Sequence, residues 1–267
     1  MPMDTIKDLR LAVLIDADNV PHSQIQPMLQ EIAKYGTPTF KRIYADWTKP
    51  TVSGWKSKLL EHAITPVQQY SYTTGKNSTD SALIIDAMDI LYTGRVDGFC
   101  IVSSDSDFTR LATRLREAGM KVFGMGERKT PLAFISAVDK FIYIEILKAN
   151  GEQKKKTQAA PKKKASPKKQ QQDNTDNAAA QETDPLVNYE LINLIESSVN
   201  DLADESGWVF LGELGNLLLK KKPDFDPRNY GFKKLVSLIE SLDQFEVHKE
   251  STGKGNISHV YVKSKSS

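Results

Sequence analysis

Two unbroken apolar runs constrain this chain most. Residues 11–15 read LAVLI and residues 98–103 read GFCIVS, with no charged side chain in either. Strands without polar alternation are buried on both faces, which requires a sheet covered by helices on each side. The flanking segments agree. PHSQIQPMLQEIAKYG sets Ile25, Met28, Leu29, Ile32 and Ala33 at helical spacing, with Gly36 as the stop. TFKRIYAD reads as a strand, SGWKSKLLEHA as a short helix, TPVQQYSY as a strand, and the stretch from about Thr79 to Tyr92 as a long helix. DFTRLATRLREAG is an amphipathic helix ended by Gly119; KVFGMG and FIYIEI are the last strands, with a short helical piece between them. The expectation is an α/β fold with a mostly parallel sheet and helices on both faces.

Sheets of this kind bind ligands beyond the carboxyl ends of the strands, where the strand order reverses. The first run ends in Asp16-Ala17-Asp18-Asn19, and the second leads into Ser104-Asp105-Ser106-Asp107. Right-handed crossovers would make the two strands neighbours and bring these acids to one edge. In NSTDSALIIDAMDIL, Asp80 shares a face with Leu83, Ile84, Ala87 and Leu91, in the first helical turn, where the helix dipole favours a carboxylate. Asp86 and Asp89 lie on other faces. A lone acid at a helix start is usually a cap. Asp16, Asp80, Asp105 and Asp107 together, from three loops at one edge, make a cation site. The four scattered His (22, 62, 248, 259) and the single Cys100 supply no ligand spacing, so oxygen donors must hold the ion, which points to Mg²⁺ or Mn²⁺. Carboxylates around one or two such ions suit phosphodiester hydrolysis.

The 267 residues leave room for more than one core. The formal charge of +2 conceals eight Lys and no acid between Gln153 and Gln172. Residues 151–184 therefore read as a disordered Lys-rich linker between a domain at 1–150 and another at 185–267. No apolar run approaches the length of a membrane helix, residues 1–10 do not read as a signal peptide, and one cysteine fits a reducing cytoplasm.

On the motifs LIDADN, GKNSTDSALIIDAMD and VSSDSDFTRLATRLREAG, residues 11–145 resemble the NYN domains of the LabA-like group, relatives of PIN-domain ribonucleases. Asp16 and Asn19 match the family's strand end; Asp80, Leu83 and Asp86 match its Asp-x-x-Leu-x-x-Asp helix; Ser103, Asp105, Asp107 and Phe108 match its Ser-x-Asp-x-Asp-Phe. The resemblance implies a PIN-like, Rossmann-like fold and a metal-dependent ribonuclease acting on single-stranded RNA. Asp16 and Asp105 would bind the ion directly, Asp80 and Asp107 would bind a second ion or orient water, and Asn19 would fix the Asp16 loop, with Ser103 and Asp86 in support. DADNV also fits the nucleophile motif of haloacid-dehalogenase-like phosphatases, with Asp16 phosphorylated and Asp18 the proton donor. Those enzymes place a Gly-containing flap soon afterwards, and here the chain runs directly into a helix. A catalytically silent RNA-binding adaptor is the other alternative.

Lys76 and Asn77, ahead of the Asp80 helix, and Arg110, one turn after Asp107, are candidate phosphate contacts. Trp47 and Trp55, beside Lys49 and Lys56, fit either a single-strand stacking platform or ordinary packing. From Pro185 on, three helices and a terminal hairpin describe a small winged helix (α+β). The third helix is DPRNYGFKKLVSLIESLDQF, opened by Asp-Pro. Through GWVFLGELGNLL and FDPRNYGFKKLVSLIESLDQFEV, this region resembles the OST-HTH (LOTUS) domain. That resemblance implies binding of RNA, including structured G-rich RNA, and in some cases a protein partner. Lys220, Lys221, Lys222, Arg228, Asn229, Tyr230, Lys233 and Lys234 are the candidate RNA contacts, at both ends of the expected recognition helix.

Overall fold

The computed structural model describes residues 8–70, 78–147, 185–251 and 258–265. The expected linker at 151–184, Lys76 and Asn77 lie outside them. The chain divides into two compact units.

The first unit is built on β1 (Arg10–Asp16), β2 (Thr37–Ala45), β3 (Thr65–Gln68), β4 (Gly98–Val102), β5 (Lys121–Gly126) and β6 (Lys140–Tyr143). All neighbours pair in parallel, in the order β3-β2-β1-β4-β5-β6. The order runs outward from β1 in one direction and then resumes on its other side at β4, so the switch point falls between β1 and β4. Register runs from Leu11 opposite Gly98 to Ile15 opposite Val102, which leaves Asp16 level with Ser103.

Alternate β1 residues feed two cores. Leu11, Val13 and Ile15 pack with Ile25, Met28 and Ile32 of α1 (Ile25–Ile32) and Leu59 of α2 (Lys56–His62). Ala12 and Leu14 pack with α3 (Ser78–Tyr92), α4 (Thr109–Glu117) and α5 (Leu132–Ala137), through Leu83, Ala87, Leu111, Leu115 and Phe134. Both faces are thus covered, as the unbroken apolar runs require. The expected strand FIYIEI is shorter than its sequence suggests. β6 stops at Tyr143 and residues 144–147 turn helical. Ile146 and Leu147 are adjacent and both buried in the first core, which strand alternation forbids and a helical turn allows.

The second unit takes in α6 (Pro185–Leu202), α7 (Leu211–Lys221) as far as Leu218, and α8 (Leu235–Glu240), with a three-stranded antiparallel sheet of order β7-β9-β8. Its strands are β7 (Val209–Phe210), β8 (Phe245–Ser251) and β9 (Ser258–Ser264). Leu191, Ile195, Val199, Leu214, Leu218, Leu238, Ile239 and Val262 are buried. Helices plus a terminal hairpin agree with the expected winged helix, but its third helix does not run continuously. Asp226 caps a 3-10 turn at Pro227–Tyr230 by accepting from the Arg228 N–H at 2.9 Å. Gly231 then takes φ of 85°, a left-handed conformation that breaks the helix, and α8 restarts after an extended Lys234.

Candidate active site

The strand that ends in Asp16 delivers its carboxyl group into a buried position, 1% exposed. An unpaired carboxylate there would be costly, and this one is fully partnered. Oδ1 accepts the Asp18 N–H at 3.1 Å; Oδ2 accepts Asn19 Nδ2 at 2.6 Å and the Ser103 hydroxyl at 2.8 Å. Burial nevertheless raises its pKa, and the bonds from Asn19 and Ser103 work against that rise. Asn19 and Ser103 therefore hold the Asp16 carboxylate in place.

The turn after β4 is built from its own side chains. The Asp105 N–H donates to Ser103 Oγ at 3.1 Å, and the Asp107 N–H donates to Asp105 Oδ1 at 2.9 Å, which opens a 3-10 turn leading into α4. Asp105 thus becomes half-buried and Asp107 exposed at the rim. Asp80, in the first turn of α3, meets them. One carboxylate oxygen from each of Asp80, Asp105 and Asp107 lies within 4.8 Å of the other two. Asp80 consequently holds its proton unusually well. Burial and the charges of Asp16, Asp105, Asp107 and Asp18 push its pKa to about 6.

A divalent ion with oxygen bonds of about 2.1–2.5 Å spans about 4–5 Å between opposite ligands, so this triad fits a divalent cation. The donors are all hard carboxylates, and their mutual repulsion is what a bound cation would relieve. Asp16 lies outside the converging triad, with both oxygens already engaged.

The structure separates the remaining candidates. Asp86 does not join the cluster: it accepts from Arg42 Nη1 and the Tyr44 hydroxyl, tying α3 to β2. Arg110 is exposed on the first turn of α4. Trp55 is 2% exposed and meets His22 edge-on, and Trp47 Nε1 donates to the Val67 carbonyl at 3.0 Å. Trp55 is part of the first core and half-buried Trp47 packs against it, which is the packing alternative of the two. Asp16, the nucleophile of the phosphatase alternative, is 1% exposed and accepts hydrogen bonds on both oxygens.

One acid near the cation site escaped the sequence reading, and a second closes the neighbouring strand. Asp18, exposed beside the cluster, adds to the field on Asp80; its signal, Asp-x-Asp, also fits a phosphatase pair. Asp46 closes β2 as Asp16 closes β1. Its Oδ1 accepts the Thr48 N–H and hydroxyl and Gln68 Nε2, which makes it the anchor of a turn.

On the last turn of α7, Lys220 and Lys221 are exposed, and Lys222 follows half-buried; residues 219–225 group with the first unit. Lys233 and Lys234 are exposed ahead of α8. Asn229 and Tyr230 are half-buried on the 3-10 turn. Arg228 forms a two-pronged pair with buried Asp226, Nε to Oδ1 at 2.9 Å and Nη2 to Oδ2 at 2.7 Å. The segment expected as one recognition helix is divided by Gly231, so Arg228, Asn229 and Tyr230 sit on the 3-10 turn and Lys233 and Lys234 ahead of α8.

Among the described residues no helix is long and apolar enough to cross a membrane. A family model of the NYN domain matches residues 10–145, and one of the OST-HTH/LOTUS domain matches residues 186–257. The chain is 22% identical to a protein of unknown function from Vibrio parahaemolyticus RIMD 2210633, over 53% of this chain and 96% of that one, with a TM-score of 0.44. It is 27% identical to an uncharacterized protein from Nitrosomonas europaea, over 40% of this chain and 92% of that one, with a TM-score of 0.26. No curated protein matches it.

Proposed function

The chain belongs to the NYN domain family, and from that premise we propose that it is a metal-dependent ribonuclease acting on single-stranded RNA. The domains we assign are the nuclease at 1–150, a Lys-rich linker at 151–184 and an RNA-recruiting OST-HTH/LOTUS domain at 185–267. One observation carries the reading: Asp80, Asp105 and Asp107 converge within 4.8 Å beside the β1–β4 switch point. A divalent ion there, Mg²⁺ or Mn²⁺, supplies charge neutralisation for the phosphate and acidity for water.

The chain's own residues do the rest. Asp80, Asp105 and Asp107 hold the ion, and the exposed rim at Asp107 leaves the phosphodiester a way in. Asp16 acts behind them as a fixed negative charge, oriented by Asn19 and Ser103, and keeps Asp80 repelled until a cation arrives. Arg110 stands one turn beyond Asp107, placed to meet a neighbouring phosphate. The net reaction adds water across one P–O bond: hydroxide joins phosphorus and the departing sugar oxygen takes the proton. Burial pushes the Cys100 thiol up to about 12, so it is inert, and a lone buried cysteine suits the reducing cytoplasm in which we place the protein.

Labelled single-stranded RNA, blocked at both ends, incubated with Mg²⁺, Mn²⁺ or EDTA tests the reading. Internal cleavage is expected with either ion and none in EDTA, and Asp105→Asn should lower the rate at least about 100-fold, the scale of losing one preorganised charge contact. Cleavage undiminished in EDTA would remove the metal nuclease. RNA binding without any cleavage would leave the silent adaptor.

A further inference from the structure

The outer face of the β7-β9-β8 sheet is lined with rings. Along β9, Val262 and Ser264 are buried, while His259, Tyr261 and Lys263 alternate onto the opposite face. Register then sets Phe210 of β7, Tyr261 of β9 and His248 of β8 in one row across the three strands. Ring centroids lie 5.9 Å apart for Phe210 and Tyr261, 5.6 Å for Phe210 and His259, and 5.8 Å for Trp208 and His248. Cross-strand packing explains such rings in part. It does not explain why Phe210, at the end of a two-residue strand, is left 39% exposed.

We propose that this ring-lined face is a stacking surface for the unpaired bases of single-stranded RNA. The inference rests on the RNA-recruiting role proposed for the second domain and names where and how it binds. Two observations favour unpaired bases over a duplex. α8, the helix a winged fold would lay in a groove, is six residues long, LVSLIE, and carries no basic side chain. The Arg228 guanidinium, a candidate phosphate contact, is taken up by Asp226. Sheet faces that present aromatic rings take splayed-out bases by stacking, which tolerates sequence because every base has a π-face. The charges on this face offer no attraction for phosphate: Lys263 stands opposite Glu246, and Glu250 opposite a neutral His259. Affinity here therefore comes from stacking and changes little with salt.

The test uses the full chain in EDTA, so that nothing is cut, with a fluorescent unstructured adenylate oligomer and an RNA duplex of equal length. The double substitution Phe210→Val/Tyr261→Val keeps β-propensity and removes two rings. It should weaken single-strand binding about 10-fold or more and leave duplex binding unchanged. The ring-preserving Phe210→Tyr/Tyr261→Phe should bind as the native chain does. Equal single-strand affinity of native chain and Val variant would overturn the stacking face while leaving RNA recruitment standing. No RNA binding by the native chain would remove the recruiting role itself. A Val variant that retains affinity but changes oligomeric state would show a protein-docking face, and overturn the proposal. Should the Val variant lose its circular dichroism signal, photocrosslinking of a 4-thiouridine single strand to the native chain decides. Crosslinked peptides containing Phe210 or Tyr261 support the surface, and crosslinks confined to other peptides overturn it.

Discussion

Asp16 and Asp80 both depart from ordinary carboxylate behaviour, with burial the first cause in each. They differ in what offsets it. Asp16 is relieved by Asn19 and Ser103, whereas Asp80 faces the charges of four acids and is pushed from 3.8 to about 6. A raised carboxyl pKa means that the folded chain binds the proton more tightly than the unfolded one. The stability Asp80 contributes in the metal-free protein is therefore intact below about pH 4 and lost as pH rises through about 6. Solvent screening at this half-buried position holds the loss to about 1 kcal/mol. Asp80→Asn in EDTA should accordingly raise the melting midpoint by about 2–4 °C at pH 7.5 and hardly change it at pH 3.5. Melting curves across that range check the sign. A lower midpoint at pH 7.5 would mean that the carboxylate has a stabilising partner. Repulsion of this kind is what a site gives up in order to bind a cation.

Among the elements, the turn after β4 depends on how closely β5 runs beside it. A Cβ added at Gly126 would fall 2.6 Å from the Ser103 carbonyl, 2.8 Å from Thr130 Oγ1 and 3.0 Å from Ser104 Oγ. Gly126→Ala should thus cost about 1–3 kcal/mol and displace the turn that carries Asp105 and Asp107. Expected readouts are a lower melting midpoint and a weaker apparent affinity for Mn²⁺ in the cleavage assay; an unchanged affinity would show that the turn is rigid on its own. The close approach was not legible in KVFGMG, since glycine spacing within a strand does not name its neighbour. What was legible followed from burial: LAVLI and GFCIVS announced two central strands, and their acid ends announced the site. Reading stopped where tertiary partners decide. Asp86 lies on the same helix as Asp80, and only the fold shows that Arg42 and Tyr44 engage it. In the second unit, Asp-Pro signalled a helix start correctly. The break at Gly231 is not legible in the sequence because a glycine inside a helical pattern is often tolerated, and only its φ of 85° reveals the stop.

For the whole molecule, we propose that the Lys-rich linker adds an RNA contact of another physical kind, through charge and not through stacking. Deleting residues 153–172 removes eight lysines and no acid. Each phosphate neutralised on a single strand contributes about 0.7 to the slope of log affinity against log salt, so the deletion should flatten that slope by up to about 5–6. It should also weaken binding to all RNAs alike; titrations of native and deleted chains at several salt concentrations read both effects. An unaltered slope would show that the lysines do not touch RNA. The strand order carries a consequence of another sort, in time. β1 finds its partner β4 only 87 residues later, as the bond from Ser103 to Asp16 records. At about 5–20 residues per second, a ribosome needs roughly 4–17 s to bridge that gap. Through that interval β1 has a bare edge, apolar on both sides, and the nascent chain is at its most prone to association. Asp16 and Asp80 have been made by then, but Asp105 and Asp107 have not. On the proposed reading, a nuclease assembled beside its own messenger is thus harmless to it until the last pair of carboxylates emerges.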